Sequence, residues 1–361
     1  VVLSLEYFNY FTGKQISSSF LFTPKSLAFL VTLVIAVGLV AGSYPAIVLS
    51  SFNPVAVLKG TLSGGMKSGY ARKILVVVQF SISIALIIGT FIVFSQLKYI
   101  RNKDLGFNRD QVIIIPTNNQ IATNYTRFKT ELLSHSDVNY VTGMEDILGV
   151  NHNTRSVTIE GLDEEQAFWF PLFMVRHDFL ETFDIEVVAG RGFSKDFPSD
   201  TLNAIMINET MVRNMGWSNE EAIGKRIASD GEERVIGVFK DFNILSLHNP
   251  INNFILDMLR NPIAANGLTT YIAVRVNSKN YSNVLSFIES KWKDIAQNRP
   301  FEYSFLDEEL DELYKDEEKF SKFSIMLTGL AVLIACLGLY GLTSYLAEQR
   351  TKEIGIRRVM G

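Results

Sequence analysis

Most of the chain alternates apolar and polar positions on the short scales that define strands and amphipathic helices, but three stretches abandon alternation altogether. Residues 26–49 and 74–97 contain no Asp, Glu, Lys or Arg, and neither does 322–347 after Lys322. A helix of about 24 residues is ~36 Å long at 1.5 Å per residue, more than the ~30 Å of a bilayer's hydrocarbon core. A core helix of a soluble protein rarely keeps every face apolar for so many turns. The pattern therefore predicts three membrane spans, the first broken near its end by Pro45.

Between the second and third spans, short periods return. QVIIIP (111–116) reads as a β-branched strand, NYTRFKTELLSHSD (124–137) as a helix with Phe128, Leu132 and Leu133 on one face, and VNYVTGM (138–144) as a strand. The same order recurs at the far end: strand TYIAVRV (270–276), helix 280–297 with Val284, Phe287, Ile288 and Trp292 on one face, and strand FEYSFLD (301–307). Two β-α-β units at opposite ends of one domain predict a split α/β sheet. The intervening β-rich lobe has strands at 154–161, 168–176, 204–209 and 233–241, with turns at Gly190, Gly192, Gly224 and Gly231. LDEELDELYKDEEKF (306–320) then places Leu306, Leu310, Leu313 and Tyr314 on one helical face and carboxylates on the other. No Gly or Pro intervenes before the third span, so this stalk is expected to run unbroken into it.

Composition agrees with the spans. The chain has 361 residues, 47% of them hydrophobic, and its mean hydropathy of +0.16 is high for a soluble protein. A net charge of −4 without a dense basic patch argues against a nucleic-acid partner. The single cysteine, Cys336, lies in the third span and excludes an intrachain disulfide. The first residue is Val and no leader pattern follows it, so the chain is read as starting partway through a longer protein.

Charge at the flanks sets the orientation. Residues 50–73 carry Lys59, Lys67, Arg72 and Lys73 and no acid, and residues 348–361 carry Arg350, Lys352, Arg357 and Arg358 against Glu348 and Glu353. Basic flanks stay on the cytoplasmic side. Residues 98–321, with 23 Lys plus Arg against 35 Asp plus Glu, are then extracytoplasmic. The expected order is an outer loop (1–25), a span (26–49), a cytoplasmic linker (50–73), a span (74–97), the outer domain (98–321) ending in the stalk 306–320, a span (322–347) and a cytoplasmic segment (348–361).

The sequence offers no catalytic constellation. GxxxxGK[ST], HExxH and GxSxG are all absent. His135, His152, His177 and His248 are scattered, and His177–Asp178 reads as a helix cap. The acids of 306–320 lack the spacing and central Gly of an EF-hand, so they read as a solvated helix face rather than a calcium site. Gly338 and Gly341 read as points of close helix packing.

Four stretches carry a resemblance to a known family: SYPAIVLSSFNPVAVLKG (43–60), the run from Arg72 to Pro116, FLETFDIEVVAGRGFS (179–194) with the later MINETMVRNMGW, GKRI and VIGVFKDF, and SYLAEQRTKEIGIRRVMG (344–361). Together they resemble an FtsX-like permease of the MacB class, the membrane subunit of a type VII ABC system. The resemblance implies an α-helical membrane protein with a large α+β extracytoplasmic domain of the MacB-like periplasmic core type. It also implies a fragment of a duplicated permease, holding the last span of one half and the first two of the next.

The same resemblance makes the segment after the third span a coupling helix seated in a cleft of an ABC ATPase. On this chain that segment is Arg350, Lys352, Glu353, Ile354, Gly355, Ile356, Arg357, Arg358, Val359 and Met360. Ile356, Val359 and Met360 form a small apolar face, Arg350, Glu353 and Arg357 a charged one, and Gly355 permits close approach. A cationic membrane anchor explains the charges but not the apolar cluster.

Further implications are a non-catalytic subunit with no cofactor of its own, ATP and Mg being bound by the partner ATPase. A bacterial inner-membrane location, a periplasmic adaptor or other outer partner, and a dimeric or pseudo-dimeric permease follow likewise. The family's work is export, handling of lipoproteins or antimicrobial compounds, or mechanotransmission. The alternative from another class is a membrane-bound extracytoplasmic sensor receptor.

Overall fold

The computed structural model describes residues 5–6, 8–9, 16–50, 65–162, 167–228, 231–247, 249–258, 267–277 and 281–359. The chain divides into two compact units, one of residues 1–99 with 315–361 and one of residues 100–314.

The first unit is helical. Its long helices cover Pro24–Ser50, Gly65–Asn102 (which continues into the second unit) and Lys315–Val359, and each contains a stretch long and apolar enough to cross a membrane: Pro24–Ser43, Lys73–Asn102 and Lys315–Ser344. The first helix continues through Pro45 to Ser50, so the expected break at that residue does not occur. A proline removes one backbone donor, a loss that apolar helices tolerate by local adjustment.

The second unit is built on a sheet. Among the described residues its strands are β1 (Val112–Pro116), β2 (Val138–Met144), β3 (Asn153–Ile159), β4 (Phe168–Val175), β5 (Val187–Gly190), β6 (Ala204–Asn208), β7 (Ile227–Ala228), β8 (Arg234–Phe239), β9 (Ile255–Met258), β10 (Tyr271–Val276) and β11 (Ser304–Phe305). Their order is β11-β1-β10-β2-β4-β9-β6-β8-β5, with β3 flanking β4 and β7 flanking β3. The two β-α-β units interleave: β10 sits between β1 and β2, β1 sits between β10 and β11, and every one of these pairings is antiparallel. This is a split β-α-β arrangement, with the lobe β3–β9 inserted between its halves. Sheet and lobe meet at the single β2–β4 register point, Met144 opposite Val175.

Alternation along the strands sorts side chains between two cores. Ile113, Ile115, Ile272, Val274 and Val276 face Phe128, Leu132, Val284, Ile288 and Trp292 of the two crossover helices, Tyr125–Leu132 and Tyr281–Ile295. Leu133, expected on the same face, falls just after its helix and is 40% exposed. On the opposite side Val112, Ile114, Met144 and Ala273 join a phenylalanine cluster. Phe242 lies edge-on to Phe254 at 5.4 Å and to Phe107 at 6.1 Å, and Phe173 edge-on to Phe254 at 5.7 Å. Each fully buried ring contributes about 1.5–3 kcal/mol of transfer free energy. A third core, under helix Glu209–Asn214, closes the inserted lobe with Ile205, Ile207, Met211 and Val212.

The acidic stalk departs from expectation. Its helix covers only Leu306–Glu312; Leu313 and Tyr314 form a turn, and a new helix starts at Lys315. Leu313 N–H donates to the Leu310 carbonyl and Tyr314 N–H to that of Asp311, three residues back in each case. The cause is tertiary. Leu306 and Leu310 are buried in the phenylalanine core with Leu313 packed against it, and the Tyr314 hydroxyl accepts the Leu247 N–H at 2.8 Å. Asp307, Glu308, Asp311 and Glu312 are exposed.

Gly149 fixes how closely this helix approaches. Its φ of +82° is left-handed, and a Cβ there would lie 2.6 Å from Leu310 Cδ2 and 3.2 Å from Phe107. Gly149→Ala is therefore expected to destabilise the second unit by about 1–3 kcal/mol, and Leu310→Ala by about 2–5 kcal/mol. Denaturant unfolding of the detergent-solubilised chain, followed by near-ultraviolet circular dichroism, measures both.

Candidate functional site: a polar seam and the charged end of its longer helix

Helices Gly65–Asn102 and Lys315–Val359 run antiparallel along a seam of small and hydroxyl-bearing residues. Thr90 Oγ1 and Thr328 Oγ1 share a hydrogen bond of 2.8 Å, and Thr328 Oγ1 also reaches the Leu86 carbonyl at 3.4 Å. Ser83 Oγ donates to the Gln79 carbonyl of its own helix at 3.0 Å and reaches the Ala331 carbonyl across the seam at 3.3 Å. Ser83 and Ala335 are buried. A Cβ at Gly338 would lie 2.7 Å from Gln79 Oε1, so glycine is what admits that side chain; Gly341 meets nothing within 4 Å. Of the two glycines expected to mediate close packing, Gly338 does so here and Gly341 does not.

Positions 79, 83, 86 and 90 face 338, 335, 331, 328 and 324, alternating steps of four and three as in a left-handed helix pair. Lipid tails supply no hydrophobic force between helices, so close approach of small residues and interhelical hydrogen bonds hold such pairs, at about 0.6 kcal/mol per bond. The signal was present in the sequence as Ser83 and Thr90, one heptad apart, and as Thr328 and Ala335, also one heptad apart. Sequence reading missed it because partners far apart in the chain are not visible as spacing.

Beyond the seam the longer helix continues without interruption from Ser344 to Val359. Arg350, Lys352, Glu353, Ile354, Gly355, Ile356, Arg357, Arg358 and Val359 are all in it, and Met360 lies outside the described residues. Arg358 and Thr351 are exposed, and Thr351 Oγ1 caps back to the Ala347 carbonyl at 2.7 Å. The remaining side chains of this segment lie outside the described residues.

The titratable groups of the second unit are braced against scaffold. Lys129, buried, pairs with Asp178 at 2.6 Å, and Lys195 approaches the same carboxylate at 3.5 Å. Asp178 was expected to cap a helix. It does precede helix Phe179–Phe183, but in a left-handed conformation (φ 71°) and with no cap hydrogen bond from its side chain. Its carboxylate serves the buried lysine instead. Burial pulls Lys129 below the usual lysine range against the opposing pull of Asp178. At Asp178 burial works upward, but Lys129 and Lys195 outweigh it and hold the carboxyl below its ordinary value. Burial lowers His177 in the same neighbourhood.

Arg155 Nη2 donates to both carboxylate oxygens of Glu145, at 2.6 and 2.9 Å, while burial still lifts Glu145 above the ordinary range, and burial lifts Asp146 likewise. Arg191 grips buried Asp200 through two hydrogen bonds, 2.5 and 2.8 Å, and its guanidinium stacks over Phe197. Among the described residues no three His, Cys, Asp or Glu side chains gather as a metal-holding group, and His248 lies outside those residues.

Residues 74–284 match the MacB-like periplasmic core domain, and the chain belongs to that family. Three apolar spans joined to a mixed α/β sheet make it a membrane protein with a large extracytoplasmic α+β domain. A curated relative, the uncharacterized ABC transporter permease YvrN of Bacillus subtilis (strain 168), is 26% identical over 205 residues, covering 53% of this chain and 49% of its own. The chain thus spans about half the length of the curated relative it matches. Among solved structures, the periplasmic region of MacB from Actinobacillus actinomycetemcomitans superposes with a TM-score of 0.41 at 13% identity, over 59% of this chain and 97% of that one. The extracellular domain of the noncanonic ABC-type transporter YknZ from Gram-positive bacteria gives 0.37 at 14% identity, over 54% and 98%.

Two measurements check this geometry. With Cys336 replaced by Ser, Thr90→Cys with Thr328→Cys is expected to form a disulfide in oxidised membranes, read as a mobility shift on non-reducing gels; Thr90→Cys with Gly341→Cys is expected to form none.

The Lys129–Asp178 pair carries a pH signature. The Asp178 carboxyl is depressed on folding, so its stabilisation is complete above the unfolded value of about 3.9 and is lost as pH falls through the folded one. Asp178→Asn is expected to cost about 1–3 kcal/mol at pH 7, leaving a buried ammonium uncompensated. The difference from wild type should shrink on acidification below about pH 4, as measured by denaturant midpoints across a pH series.

Proposed function

We propose that the chain is the membrane subunit of an ABC-type permease of the MacB and FtsX kind, coupling ATP hydrolysis in a separate protein to movement of its own extracytoplasmic domain. The observation that carries this reading is the uninterrupted helix Lys315–Val359. At 1.5 Å per residue, 45 residues make a rod of about 67 Å, longer than a bilayer core by several turns. It joins an apolar span to an end bearing Arg350, Lys352, Arg357 and Arg358.

In this reading the basic end lies in the cytoplasm and the ATPase, with its own ATP and Mg, holds it through those cations and the apolar face Ile356, Val359 and Met360. A displacement imposed there travels as rigid-body motion, since the helix is unbroken as far as Lys315, and the first break it reaches is the Leu313–Tyr314 turn. The subunit itself performs no chemistry. Its surroundings are the bacterial inner membrane, a periplasmic adaptor or other outer partner, and a second permease half or copy. The work is export, handling of lipoproteins or antimicrobial compounds, or transmission of force to the outer domain.

Deleting residues 350–358 from the intact permease is expected to reduce co-purification of the ATPase at least tenfold while membrane insertion persists. Arg357→Glu with Arg358→Glu should act in the same direction, since reversing charge in a docking face costs several kcal/mol. Quantitative immunoblotting of the affinity-purified complex reads both, and undiminished ATPase recovery contradicts the reading.

A further inference from the structure

An open cleft of about 490 Å³ in the second unit has no role in the coupling just described. Its lining holds three cations, Lys103, Arg109 and Lys240, against four carboxylates that include Asp104, Asp184 and Glu186. The cleft is built rather than incidental. Asn108 N–H donates to the Phe183 carbonyl at 2.7 Å, and Gly106, at a φ of +83°, lets the loop approach the Asp241 carbonyl more closely than any Cβ would allow. Asp184 is itself held in a left-handed conformation, φ 56°.

The location limits what can enter. Arg109 Nη2 donates to the Arg101 carbonyl at 2.8 Å, so one wall is fastened to the last turn of helix Gly65–Asn102. Lys73–Asn102 of that helix is apolar enough to span, and its end carries Lys98, Tyr99 and Arg101, the residue types that settle among lipid headgroups. The cleft's lining therefore begins at Lys103, the residue that follows the end of that helix.

Its charge limits the ligand further. Four carboxylates repel a purely anionic headgroup, and three cations repel a purely cationic one. A primary ammonium donates hydrogen bonds to carboxylates, whereas a quaternary ammonium is held by aromatic faces, and the one aromatic in the lining, Phe107, is buried in the core. The Lys240–Glu186 pair, 2.7 Å apart with both side chains more than half exposed, is of the weak kind that exchanges readily for a ligand's phosphate and ammonium.

We propose that this cleft takes the zwitterionic headgroup of a phosphatidylethanolamine-type lipid, with phosphate against Arg109 and Lys240 and the ammonium against Asp184 and Glu186. The inference rests on the membrane placement of the preceding helix and not on coupling to an ATPase.

The test uses the full chain in detergent micelles, with thermal midpoints measured after adding dioleoylphosphatidylethanolamine, dioleoylphosphatidylglycerol, or water-soluble glycerophosphoethanolamine. Phosphatidylethanolamine is expected to raise the midpoint by about 3 °C or more beyond phosphatidylglycerol. That excess should fall by at least half in Asp184→Asn with Lys240→Gln, and likewise in Glu186→Gln, which keeps the fold if the double variant does not. Equal shifts with phosphatidylglycerol, or an undiminished excess in the variants, overturn the proposal. An equal shift with glycerophosphoethanolamine at the same concentration overturns the lipid as its source.

Discussion

The contact of Leu310 and Phe107 across Gly149 governs the second unit. Phe107 lies five residues beyond the end of one long helix, and Leu310 five residues before the start of another. Both are buried in the same phenylalanine core, and only a residue without a Cβ lets them meet. Close-packed interiors transmit strain because they have little free volume to absorb it. Phe107 and Leu310 thus share that core with Phe242, Phe254 and Phe173.

Rigidity is distributed unevenly along the chain. Helix Lys315–Val359 is continuous, and its partner helix is pinned to it at Thr90–Thr328 and Gln79–Gly338. The Leu313–Tyr314 turn is the interruption between that rod and the core, and it is tied down by the apolar contact of Leu313 and the Tyr314–Leu247 hydrogen bond. A stalk running unbroken from the sheet into the membrane would force every rotation of the rod onto the sheet.

What was legible in the sequence was what local pattern controls. The apolar runs gave the spans, and alternation in VIIIP and YIAVRV, with helical spacing in the segments after them, gave the two β-α-β units. Non-local events were not legible. Nothing in the segments reveals that β10 inserts between β1 and β2, or that Ile255–Met258, a four-residue run interrupted by Asp257, pairs with both β4 and β6. The stalk contains no Gly or Pro, so its break could not be read from propensity; burial of Leu310 and the demand of Leu247 N–H for an acceptor decide it. Asp178 looked like a cap because caps are local, but a buried ammonium 49 residues earlier in the chain claimed its carboxylate. At the charged end, helix formation to Val359 is a structural fact, while the roles of its side chains come from resemblance and chemistry.

The claim that most needs a direct measurement is that one stiff helix joins the outer end of the span to the charged terminus. Spin labels at Lys322 and Ile354, in the full chain reconstituted into lipid nanodiscs, report it through the dipolar distance between them. Thirty-two residues of continuous helix predict a narrow distribution centred near about 48 Å. A broad distribution, or a maximum shorter by 10 Å or more (about seven residues of helical rise), would mean that the helix bends or ends within the interval, and the transmission described here would have no rod to act through.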